Sequence, residues 1–562
     1  MKTLKNLIAL AAIATATATQ VNAQTNLGEQ CGCPPVSSRT TVLLSTLATS
    51  GGANDGILTA SNTILDCSKT YILDKKIYID SGKVVTIQPG TLIKGRSYST
   101  ADSSVAFTVM RYGKIFASGT ETCPIVFTTE ADPLDGTYGI NNKGKWGGVC
   151  IAGRASNNLL LANNGPFQAG VGDGRICVAD GLGTFEGFAS SNKKDQFGAN
   201  LTAGETFDDN DNSGILRYVS IRHAGANLQV GGEINALSLG SVGRGTQVDH
   251  VEVISCADDS YEMWGGTVNL KYCTSLFSND DNFDFDDGWR GKGQFLFALK
   301  TSTNDTLTSA DADNGFECDG DDQKSNNLPR SRPVFYNTTV IGNAKSVRTV
   351  DNTSIAGICA KEITEGEFYN SVFANFRYGF NVLKAVGTRT GGSEAWHNWA
   401  VTGGNGSQTL KVKCNTFAGT SFPFRVDFNT GAPSAGTIVS SDTAQFFTTD
   451  LNIATSSIAG MTYNWAMNSS SNSVTTQADV IPNPALSVTG CPTPPSDGFF
   501  TPANYRGAFA PTGKNWLSEF AQAKILGAVN GSQDCPTDLN SDGITNNSDF
   551  LQLLGKFNQS CQ

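Results

Sequence analysis

The feature that most constrains the fold of this chain is an acidic and aromatic segment that occurs twice. Asp258–Gly266 is repeated as Asp280–Gly288, with acid aligned on acid, aromatic on aromatic and glycine on glycine. A second pair, Phe335–Asn337 and Phe368–Asn370, has a wider offset, as expected if one coil carries a longer loop. The closer offset, about 22 residues, fits one coil of a parallel β-helix, which has about three strands of four to five residues plus turns.

The local pattern between the repeats also favours short strands. Runs such as Val84–Ile87, Leu216–Ile221 and Val251–Ile254 alternate apolar residues and are separated by turns rich in Gly, Asn and Asp. The 61 glycines and the scarcity of strong helix formers agree with a turn-rich β protein. We therefore predict an all-β fold, a right-handed parallel β-helix, because parallel crossover connections are almost always right-handed.

Three segments carry a resemblance to known proteins. Gly82–Gly95 is similar to the first coil of many secreted bacterial β-helix proteins, and so is Gly113–Gly119 followed by Pro124–Thr128. With the doubled acidic coil, and Tyr505–Phe509 followed by Trp516, the chain resembles a group of exported β-helix proteins typical of Bacteroidetes and marine bacteria. The resemblance covers roughly residues 41–526. It implies the fold but no particular activity, because that group has no established activity.

The C-terminus contains a pattern typical of a calcium-binding loop. Calcium loops take oxygen ligands from positions 1, 3, 5, 7, 9 and 12, and a glycine at position 6 makes the sharp turn. Gly543 occupies the turn position. The six ligand positions are filled by Asp538, Asn540, Asp542, the Ile544 carbonyl, Asn546 and Asp549.

This loop resembles a single dockerin repeat, because position 12 is Asp549 rather than Glu and no helix of the EF-hand type precedes it. The following residues place Phe550, Leu553, Leu554 and Phe557 on one helical face. The resemblance implies a calcium cofactor and a cohesin-like protein partner. Dockerins usually carry two such repeats, whereas this chain has one.

The ends of the chain suggest export and set the domain boundaries. Residues 1–23 have a basic start, an apolar stretch and Val21-Asn22-Ala23, which predicts a cleaved signal peptide and a secreted or cell-surface protein. We assign residues 24–495 to the β-helix with irregular end-capping loops, 496–534 to a closing segment and 535–562 to the calcium module. Fourteen cysteines then predict structural disulfides, with Cys535 and Cys561 clamping the module.

The charge and hydropathy of the chain exclude two classes of partner. The formal charge is −11, which argues against binding to nucleic acid or to an anionic membrane. After the signal region, the sequence has no apolar stretch of the roughly 20 residues that a membrane-spanning helix needs. Divalent cations and neutral or cationic ligands fit the acidic balance better.

The two acidic coils form the second candidate site. Stacking places Asp258, Asp259 and Glu262 beside Asp280, Asp281 and Asp284, and like charges one coil apart cost energy unless a cation neutralises them. Calcium is one solution and Arg290 is an internal alternative. The same residues also fit a catalytic interpretation, since a pectate-lyase-type site pairs calcium-binding carboxylates with an arginine base. The catalytic candidates are Asp280, Asp281, Asp284 and Arg290.

The sequence therefore supports two hypotheses about function. In the first, the protein is a secreted or surface-attached calcium-binding β-helix that adheres to a polysaccharide, a cell-surface glycan or another surface partner. In the alternative, it is a polysaccharide lyase or glycoside hydrolase that uses the acidic coils and is attached through its dockerin-like module. Whether the protein is an enzyme is left open at this stage.

Overall fold

The computed structural model shows the parallel β-helix that the repeats predict. It describes residues 27–50, 55–98, 104–160, 176–188, 192–226, 232, 234–300, 314–320, 327–342, 356–384, 395–402, 404–427, 440–458, 461, 466–468, 473–476, 486–511 and 515–518. The predicted signal peptide and the predicted calcium module lie outside these residues.

Each coil contributes strands to three faces, and the strands of a face pair in parallel with the coils before and after. The strands of face 1 are Ile57–Leu58, Ile77–Ile79, Phe107–Val109, Val149–Ala152, Leu237–Gly240, Tyr261–Trp264, Phe283–Asp286, Phe316–Cys318, Ala356–Ala360, Tyr378–Leu383 and Phe422–Asp427. The strands that belong to face 2 alone are Asn62–Leu65, Val84–Ile87, Lys114–Ser118, Asn269–Lys271, Lys292–Gln294, Val334–Tyr336, Gly366–Tyr369 and Leu410–Lys413.

Face 3 completes the coil. Its own strands are Thr40–Leu43, Lys69–Leu73, Leu92–Gly95, Ile125–Thr129, Thr274–Leu276, Phe297–Leu299, Thr339–Ile341, Val372–Ala374, Thr416–Ala418 and Ile453–Thr455. Two long strands, Gly214–Arg222 and Gln247–Ile254, pair with face 2 in their first half and with face 3 in their second. They bend at Tyr218 and His250, whose φ values of 47° and 49° lie in the left-handed region that turns a strand sharply.

The register of the strands confirms both repeats. On face 1, Glu262 pairs with its predicted equivalent Asp284, and Asp284 pairs with Glu317 on the following coil, at an offset of 33 residues instead of 22. On face 2, Phe335 pairs with Phe368, as the second repeat predicts. In-register stacking explains why like residues recur, because each side chain lies against its equivalent one coil away.

The interior of the solenoid is a continuous apolar core. On face 1, Tyr261, Phe283 and Phe316 point inward, and their rings stack at centroid distances of 5.1 and 5.0 Å on successive coils. The residue that follows each of these rings, Glu262, Asp284 or Glu317, points outward, because successive side chains of a strand alternate between its two sides. The alternation of aromatic and acidic residues along Phe283–Asp286 therefore places aromatic rings in the interior and carboxylates on the outward side.

A small antiparallel sheet is inserted between two coils and lies on the outward side of face 1. Its strands are Ile176–Ala179, Leu182–Thr184 and Gln196–Gly198. Other short elements outside the solenoid faces are the strands Ala466–Asn468 and Ser473–Thr476, the α-helices Ala395–Trp399 and Ser440–Ala444, the π-helix Gln445–Thr449, and the 3-10 helices Glu29–Cys31, Val36–Ser38, Leu44–Leu47, Lys193–Asp195, Leu201–Ala203 and Trp516–Ser518. Within the described part of the chain, no helix is long and apolar enough to cross a membrane.

Residues 486–511 and 515–518, which we call the C-terminal strap, run along the outside of faces 2 and 3. Phe509 packs on Phe297 with ring centroids 5.2 Å apart, and Thr501 exchanges two hydrogen bonds of 2.7 and 2.8 Å with the Gln294 amide. The strap covers an apolar row on the outward side of face 3 that includes Leu276 and Leu299. Part of the predicted closing segment thus lies along the flank of several coils.

The prediction of structural disulfides is confirmed, with three pairs among the described residues. The disulfides join Cys31 to Cys123, Cys33 to Cys67 and Cys414 to Cys491. Six other described cysteines are buried thiols, namely Cys150, Cys177, Cys256, Cys273, Cys318 and Cys359. Such thiols pack like small apolar side chains, so an even count alone does not imply pairing.

Candidate functional site

The outward side of face 1 carries a row of carboxylates on three successive coils. Glu262, Asp284 and Glu317 occupy equivalent positions in strands that pair in register. Glu262 is buried, while Asp284 and Glu317 are half-buried. Because equivalent residues of paired strands lie about 5 Å apart, the fold brings three acidic side chains into one line along its axis.

A second row lies at the entry to these strands and holds the coils together. The Asn235 side chain accepts the backbone N–H of Asp259 at 3.1 Å, and the Asp259 carboxylate accepts that of Asp281 at 2.7 Å. The Asp281 carboxylate in turn accepts the N–H of Asn314, whose side chain accepts the N–H of Ala356 at 2.9 Å. This is a side-chain ladder that satisfies one buried backbone donor on each coil.

Carboxylates of these rows and of adjoining positions approach one another closely enough to share a cation. Three sets of residues have ligand oxygens within 4.8 Å of one another, and adjacent sets share a residue. They are Asp258 with Asp259 and Asp280, Asp259 with Glu262 and Asp284, and Asp284 with Glu317 and Asp319. We call these the three carboxylate triads. Carboxylate oxygens are the ligands that calcium prefers in proteins.

The buried members of this surface resist ionisation. Burial raises the pKa of Asp259 well above its usual range, and the charges of Asp280, Asp258, Asp284 and Asp281 raise it further. Burial also raises the pKa of Asp281, although nearby Lys300 and Lys361 and the hydrogen bonds from Asn314 act in the opposite direction. The surface therefore concentrates negative charge that needs protons or cations for neutralisation.

Two lysines provide part of that neutralisation. Lys300 is 1% exposed, and its Nζ donates to the Asp280 carbonyl and, at 3.4 Å, to the Ser278 hydroxyl. Lys361 forms an ion pair with Glu317 and lies 3.9 Å from Asp319 Oδ2. Three triads and two lysines leave an excess of acid on this side of face 1.

The structure brings together three of the four residues that the sequence proposed as catalytic. Asp280, Asp281 and Asp284 lie in or beside the triads, with Asp281 occupied by the ladder. Arg290 instead donates to Asp209 Oδ2 at 3.0 Å and to the Ser156 hydroxyl. The geometry thus pairs Arg290 with an acid of a neighbouring loop and assigns the lysines to the triads.

Several residues of this surface did not emerge from the sequence as site residues. Glu317 belongs to the carboxylate row, but it follows Asp284 by 33 residues, whereas Asp284 follows Glu262 by 22, so it lies off the regular period of the coils. The sequence feature that could have identified Glu317 is the segment Phe316–Cys318, in which an acid follows an aromatic residue as in Phe283–Phe285. Asp319 follows in a run of acids that resembles a solvated loop, yet it is 6% exposed and belongs to the third triad.

The predicted metal ligands of the C-terminal loop lie outside the described residues, so that site stays a prediction. These ligands are Asp538, Asn540, Asp542, Ile544, Asn546 and Asp549. The acidic side of face 1 is therefore the cation-binding candidate that the structure describes.

Comparison with known proteins gives one family match. A family profile described as a pectate-lyase like beta helix domain matches residues 56–177 and 181–466. These two ranges cover well over half of the chain and contain all three carboxylate triads. No curated protein and no solved structure gives a significant match.

Proposed function

Because this chain belongs to the pectate-lyase-like β-helix family, we propose that it is an extracellular protein that binds an acidic polysaccharide through cations held on face 1. The family description points to polysaccharide as the class of ligand. The polysaccharide contributes carboxylate groups and the protein contributes the triads. A divalent cation that lies between them neutralises negative charge on both and links the two molecules. The protein thus acts by adhesion to a glycan.

The observation that carries this proposal is the continuity of the three carboxylate triads. Adjacent triads share Asp259 or Asp284. The first two triads lie between the same pair of coils, and the third lies one coil, about 4.8 Å, further along the solenoid axis. A pyranose unit of a polysaccharide extends by a length similar to the coil spacing, which allows two neighbouring carboxylates of one glycan strand to meet cations in the second and third triads. A strand lying along the axis of face 1 is the arrangement that best uses this spacing.

Calcium is the proposed cation. The triads supply oxygen ligands alone, and calcium accepts six to eight oxygens in flexible geometry, whereas magnesium demands a stricter octahedron and retains its waters. Sites of moderate affinity can bind calcium at its millimolar extracellular concentration. The predicted signal peptide and the predicted C-terminal calcium loop fit the same setting. We propose that this loop binds a further calcium ion and attaches the protein to a cohesin-like partner or to the cell surface.

The positions of the catalytic candidates favour binding over cleavage. Arg290 is engaged by Asp209 and Ser156, and the Asp281 carboxylate accepts the Asn314 N–H inside the ladder. The alternative is a calcium-dependent polysaccharide lyase or a glycoside hydrolase. The family description favours this alternative, as does the membership of Asp280 and Asp284 in the triads.

Calcium titration of the full chain tests the proposal. We would compare wild type with Asp284→Asn, which alters two triads, and with Asp542→Asn, which alters the C-terminal loop, using isothermal titration calorimetry. Exchange of one charged ligand for a neutral amide should weaken calcium at its own site by about tenfold or more, since even outer partners of a metal site have that effect. The two variants should lose different binding events.

Binding to immobilised polyuronate, with and without chelator, then separates adhesion from attachment. Wild type and Asp542→Asn should bind in calcium and be released by chelator, while Asp284→Asn should not bind. Retention of full polyuronate binding by Asp284→Asn would refute the role of face 1. The appearance of unsaturated or new reducing ends in the soluble fraction would favour the enzyme instead.

A further inference from the structure

The small antiparallel sheet is held on face 1 by an apolar contact that has one buried acid at its edge. Phe197 stacks on Trp264 with ring centroids 6.0 Å apart, and Phe185 packs on the same indole at 5.5 Å. The fit is tight, because a Cβ atom at Gly240 of face 1 would come within 2.4 Å of the Phe197 ring. A polar group buried at this contact must therefore be satisfied within it.

Asp195 is that group. It is 1% exposed and ends the 3-10 helix Lys193–Asp195, directly before the strand Gln196–Gly198. Its carboxyl receives hydrogen bonds from Asn192 of its own loop and from Tyr78, which belongs to a face 1 strand and is 2% exposed. Asp195 Oδ1 accepts no hydrogen bond from any residue in the described part of the chain.

The other charged and titratable groups that face Asp195 come from both sides of the contact. Lys76 and the Cys150 thiol belong to the solenoid, and Lys194 belongs to the loop of the small sheet. Lys194 Nζ lies over the Tyr78 ring, 4.4 Å from its centroid, and its positive charge also attracts the Asp195 carboxylate. Burial dominates over these partners and raises the pKa of Asp195 to about 7.

We propose that Asp195 makes the seating of the small sheet on face 1 dependent on pH, with firm seating when this carboxyl is protonated and looser seating when it is ionised. The seated form binds the proton more tightly than the released form, whose carboxyl has an ordinary pKa near 3.8. Protonation therefore favours seating, and this preference is lost as the pH rises from about 4 to about 7. Above that range seating is weaker but no longer changes with pH.

The consequence extends to the carboxylate triads. Trp264, on which the small sheet rests, is the next outward residue after Glu262 in the strand Tyr261–Trp264. Loosening of the sheet therefore changes one wall beside the second triad. In this way the seating of the sheet links the pH of the surroundings to access along face 1.

Hydrogen exchange of the full chain over a pH series tests this inference. The measured quantity is the exchange rate of the amides in Gln196–Gly198, divided by that of the face 3 strand Val372–Ala374 to remove the intrinsic pH dependence of exchange. In wild type this ratio should rise by up to about tenfold for each pH unit between about 5 and 7, and then level off. Asp195→Asn should give a ratio that does not change with pH.

Two further variants make the result decisive. Asp180→Asn, in a half-buried turn of the same small sheet, should behave as wild type. Tyr78→Phe removes the hydroxyl that donates to Asp195, so the rise should move to higher pH. The inference is overturned if wild type gives a flat ratio, if Asp195→Asn keeps the wild-type rise, or if Tyr78→Phe moves the rise to lower pH.

Discussion

Replacement of Asp281 separates the structural role of the acidic coil from a chemical role. Asp281 is 1% exposed, and its carboxylate accepts the N–H of Asn314 on the next coil. Asp281→Ala leaves that buried donor without an acceptor, which costs about 1–3 kcal/mol. Asp281→Asn keeps an acceptor oxygen and removes a buried charge, so it should change the free energy of unfolding by less than about 1 kcal/mol.

The assay is hydrogen exchange at the Asn314 amide, together with chemical unfolding of the whole chain. A difference of about 2 kcal/mol between the alanine and asparagine variants corresponds to about a 30-fold faster local opening in Asp281→Ala. Asp280→Ala is the matched control, because Lys300 bonds to the Asp280 carbonyl, which the substitution retains. The reasoning is refuted if Asp281→Ala exchanges no faster than Asp280→Ala, or if Asp281→Asn is as unstable as Asp281→Ala.

Three more predictions concern the strap, its disulfide and the cations. Phe509→Ala should cost about 3 kcal/mol by removing a buried ring from Phe297, and limited proteolysis should then cut the strap before the solenoid. Loss of the bond between Cys414 and Cys491, which are 77 residues apart, should lower the free energy of unfolding by about 4 kcal/mol, measured as a lower Tm of Cys491→Ser. Calcium at about 100 times its Kd should stabilise wild type by about 2.7 kcal/mol, and a smaller rise in Tm is expected for Asp284→Asn; equal rises would contradict cation binding at the triads.

The sequence by itself determined the fold class and the register of the acidic coils. In a solenoid, residues one period apart lie directly against each other, so a repeat in the sequence is a contact in space. The two offsets read from the sequence are the offsets at which Glu262 pairs with Asp284 and Phe335 with Phe368. The calcium loop and the signal peptide were also predicted from the sequence, and they stay predictions.

What each acidic residue does was decided only by the tertiary structure. Asp281 and Asp284 are close neighbours and look equivalent in the sequence, yet Asp281 supports the ladder and Asp284 points outward and belongs to two triads. Their roles differ because the chain turns into the strand between them, which changes the direction of the side chains. Sequence spacing gives the coil to which a residue belongs, but not the backbone donors that surround its side chain.

Contacts between residues that are far apart in the chain could not be predicted from the sequence either, because they do not follow the repeat. Arg290 binds Asp209, a residue 81 positions earlier, because a long insertion folds back over the corner of the coil. The disulfide between Cys31 and Cys123 spans 92 residues and several coils. The periodic part of the sequence fixes contacts between neighbouring coils, whereas insertions and terminal segments find their places through packing that has no period to reveal it.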